Sequence, residues 1–345
     1  MLFQLYGSTA MTQLLGWVLV FAGLVILNEI GRRTKIGGIV LFVIIPAVLT
    51  IYFITIQAGL FGGHSNQTYE YMNGWFHYAK LYAADIGVVG FLMIKYKWGI
   101  GKKEWFKPWP FVIVAINILI AVVSDFESAI RAYQITGDFS GAWWASNEGV
   151  FLYGGWWNIV NGIAGLINIF CMTGWWGIYS SAYDIWNFEY TYCNLPTHTW
   201  YCGVALLLAP TFANALWNKG GWIQNRAMTL ATWCMFAQVL PLFQLSNTFS
   251  VLPSLYGGAT KAGVKALDLY NAAITCHTTG ASAGDAIANF GITANPTAQG
   301  VVAMLAIIAN VVCISVIIKR SIEQKKCPYT KEIWVGTRDY EQAMS

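Results

Sequence analysis

Apolar residues fall into eight long runs separated by short polar stretches: Leu14–Ile30, Ile36–Gln57, Trp75–Ile94, Phe111–Ile130, Val150–Tyr179, Trp200–Trp217, Met228–Leu252 and Gln299–Ile318. About 20 helical residues cross a hydrocarbon core roughly 30 Å thick, so each run predicts a transmembrane helix. The expected fold is an all-α polytopic membrane protein, a bundle of about 7–9 spans, because only helices and closed barrels satisfy their backbone groups inside lipid. Pro46, Pro210 and Pro241 interrupt runs and predict kinks, since each proline removes a backbone donor. The fifth run is too long for one straight crossing and carries Gly154, Gly155, Gly162, Gly165, Gly174 and Gly177. It is expected either to split in two or to continue as a more polar helix through Ser180–Tyr192.

Composition supports the membrane class and removes others. The 345 residues are 57% hydrophobic and 10% charged. A soluble domain carries about 25% charged residues and cannot keep so apolar a surface wet. Low charge and many aromatics exclude disorder. Seven cysteines in a chain of this length exclude a disulfide-built miniature domain.

The net charge of +4 is no sign of nucleic-acid binding. Of 20 Lys and Arg, 16 fall in Arg32–Lys35, Lys95–Lys107, Lys219–Arg226 and Lys319–Arg338. The positive-inside rule places these four clusters in the cytoplasm, the N-terminus outside and the C-terminus inside. Ala58–Gly74 and Ser181–Thr199 have no Lys or Arg and are expected outside. Eight crossings would put both ends on one side. Splitting the fifth run gives nine, the favoured count, and a re-entrant segment within 110–198 gives seven. The organisation expected is one transmembrane domain, 1–320, with a long outer loop over about 253–296, followed by a solvated basic tail, 321–345. Cys193–Cys276 is a candidate outer disulfide, and Asn66-Gln67-Thr68 matches the glycosylation pattern.

Polar residues at membrane depth carry the candidate chemistry, because each needs a partner in protein or in a wet cavity. Asn158, Asn161, Gly165, Asn168 and Met172 recur every three or four residues and share one helix face. This amide stripe reads either as interhelical hydrogen bonding or as the wall of a polar cavity. With Trp157, Asn214 beside Pro210 and Gln238 beside Pro241, it forms the expected substrate-binding set. Trp157 would supply an aromatic wall for a planar or cationic solute. Asp125 and Glu127 close the fourth run, where Glu127 and Arg131 are spaced to pair. Those charges sit either at membrane depth or already at the interface. Asp85 lies near the middle of the third run, with Lys80 more than one turn before it. Asp85, Asp125 and Glu127 are the expected ion-coupling residues, with Arg131 and Lys80 as charge partners.

Four histidines show no paired helical spacing, and no zinc-protease, serine-hydrolase or phosphate-loop motif occurs. No cofactor or metal is expected, and an enzyme is disfavoured. The reading is a secondary transporter of a small polar or cationic organic solute, coupled to a proton or Na⁺ and working by alternating access in the lipid bilayer. The alternatives are a membrane-embedded enzyme acting on a lipid or isoprenoid, and a channel or subunit of a larger complex. Nucleic acid is not an expected partner, and the oligomeric state is left open.

Overall fold

The computed structural model describes residues 10–66, 68–69, 75–136, 139, 142–146, 149–153, 155–173, 197–217, 220–240 and 297–344. Helix α1, Ala10–Arg33, ends on Arg32 and Arg33, where cations favour the negative end of the helix dipole. Thr34 then starts a new helix: its Oγ1 accepts the Gly37 N–H at 3.1 Å. Short α2, Lys35–Ile39, passes through a π-helical turn, Val40–Ile44, into α3, Ile45–Gln57. The wide turn falls just before Pro46, which cannot donate to the carbonyl four residues back.

Helix α4, Phe76–Lys95, and the long α5, Trp109–Thr136, follow. They pack closely, since a Cβ on Gly90 would lie 2.8 Å from the Pro110 ring. An antiparallel hairpin pairs β1, Ala142–Ser146, with β2, Gly149–Tyr153. Helix α6 is Gly155–Phe170, and α7 is Thr197–Leu216 with Pro210 inside it. Helix α8, Trp222–Trp233, runs into a second π-helical turn, Cys234–Val239. Helix α9 is Thr297–Gln324, and the short α10 is Arg338–Met344.

The chain is therefore helical apart from one hairpin among the described residues. Four helical stretches are long and apolar enough to cross a membrane: Leu14–Arg33, Lys35–Gln57, Glu104–Glu127 and Gly300–Gln324. Large apolar side chains point outward from them, with Leu19 70% and Ile51 61% exposed, as fits contact with lipid rather than water.

Two expectations need correction. Helix was expected from Val150, but Val150–Tyr153 belong to β2. That segment is rich in β-branched and aromatic residues and faces a matching strand, so helix waits until Gly155. The tail was expected to be solvated, yet Ile333, Trp334 and Tyr340 are buried. Arg320 Nε donates to Ile333 O at 2.7 Å and its guanidinium lies over the Trp334 ring. Tyr329 OH donates to Phe170 O at 2.9 Å, which ties the tail to the end of α6. The outer loop 253–296, Cys193–Cys276 and the extension 180–192 lie outside the described residues.

Candidate polar site between α5, α6 and α9

Helix α6 has two contrasting faces. Asn158, Asn161, Gly165 and Asn168 are buried, while Ile163, Leu166 and Phe170 are exposed on the other side. The inward face meets α5 and α9. Gly162 brings α6 close to α5: a Cβ there would lie 2.9 Å from the Phe126 ring. Gly300 does the same for α9, where a Cβ would strike the ring of half-buried Trp157.

The approach places an acid against an amide. Asn161 Nδ2 donates to Asp125 Oδ2 at 3.0 Å, and both residues are fully buried. Helix α5 continues to Thr136, so Asp125 lies inside the helix and not at its frayed end. The burial sets Asp125 between helices and away from solvent. Asn161 Oδ1 has no hydrogen-bond partner. Asn158, one turn earlier, is fully buried on the same face. Glu127, two residues past Asp125, is exposed.

Deeper along α6, Asn168 Nδ2 donates to Asn310 Oδ1 at 2.7 Å. Asn310 Nδ2 donates in turn to Ala306 O at 2.8 Å, and Cys171 Sγ lies 3.6 Å from Asn310 O. Asn310 was missed by the sequence reasoning, although it is the one amide in the last run after Gln299. The stripe thus holds both an interhelical amide pair and an amide–acid pair.

Asp85 occupies a different interface, on α4, whose neighbours include α8 and both π-helical turns. It is 3% exposed, and neither carboxyl oxygen has a hydrogen-bond partner. The stripe leading to it is engaged with α3. Tyr78 OH donates to Leu49 O at 2.5 Å, and Tyr82 OH lies 2.7 Å from Thr50 Oγ1. Lys80 is half-buried on the same helix. Asn214 is half-buried on α7, and its Oδ1 has no hydrogen-bond partner. The side chains of Arg131 and Gln238 lie outside the described residues, so the expected Glu127–Arg131 pair and the Gln238 contact are not placed.

A further polar layer was not anticipated. Helix α8 buries Gln224, Asn225, Arg226, Thr229 and Thr232. Asn28 Nδ2 on α1 donates to Asn225 Oδ1 at 3.2 Å. Arg226, one of the cations expected in the cytoplasm, is 4% exposed and lies inside the bundle. Glu29 pairs with Arg32 and Arg33 at 2.6 Å each, three and four residues on along α1. Among the described residues, no three His, Cys, Asp or Glu converge in a way that could hold a metal ion. Asn66, in the glycosylation-like triplet, donates its amide to Phe61 O at 2.8 Å and to the Tyr52 hydroxyl.

Apolar helices around a buried amide and carboxyl layer fit a helical membrane protein. The chain belongs to DUF5692, a family of unknown function, which it matches over residues 7–182 and 181–345. No curated protein matches the chain, and no solved structure does.

Proposed function

We propose that the protein is an ion-coupled secondary transporter of a small polar or cationic organic solute. The observation that carries this reading is the Asp125–Asn161 pair, a carboxyl and an amide buried together on facing helices. Ionisable groups at membrane depth are costly, by roughly 2.5–3.5 kcal/mol on insertion scales, and are retained where they handle an ion or solute. Asn158, Asn161 and Trp157 line the solute's side of this layer, and Asp85 and Asp125 carry the coupling ion, a proton or Na⁺. The close contacts at Gly162 and Gly300 seat α6 tightly between α5 and α9.

Nine crossings are part of the proposal, with the N-terminus outside and the C-terminus in the cytoplasm. Several helix ends gather on one side. Tyr329 of the tail meets Phe170 at the end of α6, and Lys107 before α5 lies 6.0 Å from the Tyr340 ring. Tyr96 after α4 donates to Arg32 O at the end of α1, and Asn28 meets Asn225 at the start of α8. Helix α7 ends at Leu216, just before α8 begins. With α6 and α7 both ending on the cytoplasmic side in this proposal, parity supports splitting the fifth apolar run.

The test is solute counterflow and gradient-driven uptake by the purified protein in liposomes, against a panel of amino acids, amines and quaternary ammonium compounds. Uptake of one class, abolished by Asn161→Leu with unfolding temperature retained, is the expected result. No counterflow with any member of the panel would remove the reading.

A further inference from the structure

We infer that Asp85 is a proton-binding site, so that the ion coupled through it is H⁺ and not a metal cation. The assignment deepens the transport reading and rests on it only for the word "coupled"; the protonation of Asp85 is measurable without any solute. Among the described buried acids, Asp85 alone has neither oxygen engaged. Asp125 accepts from Asn161, Glu29 holds two arginines, and Glu332 accepts the Trp334 N–H at 2.8 Å. A carboxylate buried without hydrogen-bond donors on its oxygens lacks the groups that stabilise its charge, whereas the neutral acid avoids that cost.

Metal cations collect several oxygen ligands at once. Among the described residues, no three His, Cys, Asp or Glu converge in a way that could hold one. A proton needs only one lone pair of Asp85 itself.

The titratable groups on the packed elements set the charge around Asp85. Helix α4 itself brings His77, Tyr78, Lys80 and Tyr82, and α3 brings Tyr52. The junction of α8 with its π-helical turn brings the Cys234 thiol, which lies within electrostatic reach of Asp85, Lys80 and Arg226 together. The π-helical turn Val40–Ile44 carries no titratable side chain. Helix α5 meets α4 at Gly87 with Ile113 and Val114, which do not titrate, and Lys102 lies past the far end of α4. The two cations, Lys80 and Arg226, are on different helices. An opposite charge favours the ionised form.

The direct test is infrared difference spectroscopy of the full-length protein in lipid across a pH titration. The expected result is a protonated-carboxyl C=O band at neutral pH that Asp85→Asn removes, Asp125→Asn retains and Asp85→Glu shifts. Asp85→Glu keeps the carboxyl and so separates loss of the site from loss of the fold. A neutral-pH spectrum unchanged by Asp85→Asn, in protein with wild-type unfolding temperature, would overturn the assignment. The transport reading is separable. A band assigned to Asp85 with no counterflow of any solute leaves the proton site standing and removes the transporter. Sodium-driven uptake lost in Asp85→Asn keeps the transporter and overturns the proton.

Discussion

Asn161 and Asn168 sit on one face of α6, two turns apart, yet their partners differ in kind. Asn168 meets another amide, Asn310, and nothing in that contact demands a charge. Replacing it with Leu removes one interhelical hydrogen bond, worth about 0.6–2 kcal/mol in membrane helices. The expected result is a lower unfolding temperature in detergent with counterflow retained. Asn161 donates to a carboxyl, and hydrogen bonds to charged groups contribute about 1.5–3 kcal/mol. Asn161→Leu is therefore expected to lose counterflow, whereas Asn161→Asp, which pits two acids against each other, should gain activity only as pH falls. Equal stability losses and equal residual transport in Asn161→Leu and Asn168→Leu would reduce the stripe to packing. Much at this scale was readable beforehand: helical spacing put the three amides on one face, and all three are buried. Asn310, Asn28 and Asn225 were not, because a lone amide in an apolar run announces no partner. Their pairings span 142 and 197 residues of chain.

At the scale of elements, close glycine contacts and the docked tail decide the packing. Gly162 faces the Phe126 ring, so Gly162→Val overpacks the α5–α6 contact at a cost of about 1–3 kcal/mol. Thermal unfolding should show the loss, and an unchanged midpoint would mean that the two helices do not approach as described. The tail adds a pH dependence of its own. Burial pushes the Glu332 carboxyl up to about 7 from an ordinary 4.5, against the Trp334 N–H and Lys107, which pull it down. The docked tail then binds the proton more tightly than the undocked one. Its contribution is fully present below about 4.5 and is lost as pH rises through about 7. Comparing unfolding midpoints from pH 5 to pH 8 should show a decline in wild type that Glu332→Gln flattens. A decline as steep in Glu332→Gln would place the titrating group elsewhere. Apolar length foretold the four helical stretches that are long and apolar enough to cross a membrane. It could not foretell the β1–β2 hairpin, whose cause is strand pairing, nor the tail contacts, which depend on where Phe170 and Lys107 lie in space.

For the whole molecule, the proposed topology puts the basic clusters on the cytoplasmic side. Lys102 and Gln342 should be inaccessible from outside when replaced singly by Cys, while Leu60, 56% exposed in the turn after α3, should react. Impermeant maleimide labelling in intact cells checks all three, and labelling at Lys102 would reverse the topology. The balance of charge at depth explains why the bundle is not merely an apolar scaffold. It encloses Asp85, Asp125, Arg226 and a layer of amides, each of which would be cheaper replaced by Leu. The measurement closest to that claim is counterflow and gradient-driven uptake, side by side in liposomes, for wild type, Asn161→Leu and Asp85→Asn. The account predicts both activities in wild type, neither in Asn161→Leu, and a loss of gradient-driven uptake that exceeds the loss of counterflow in Asp85→Asn. Wild-type levels of both activities in Asn161→Leu would contradict it.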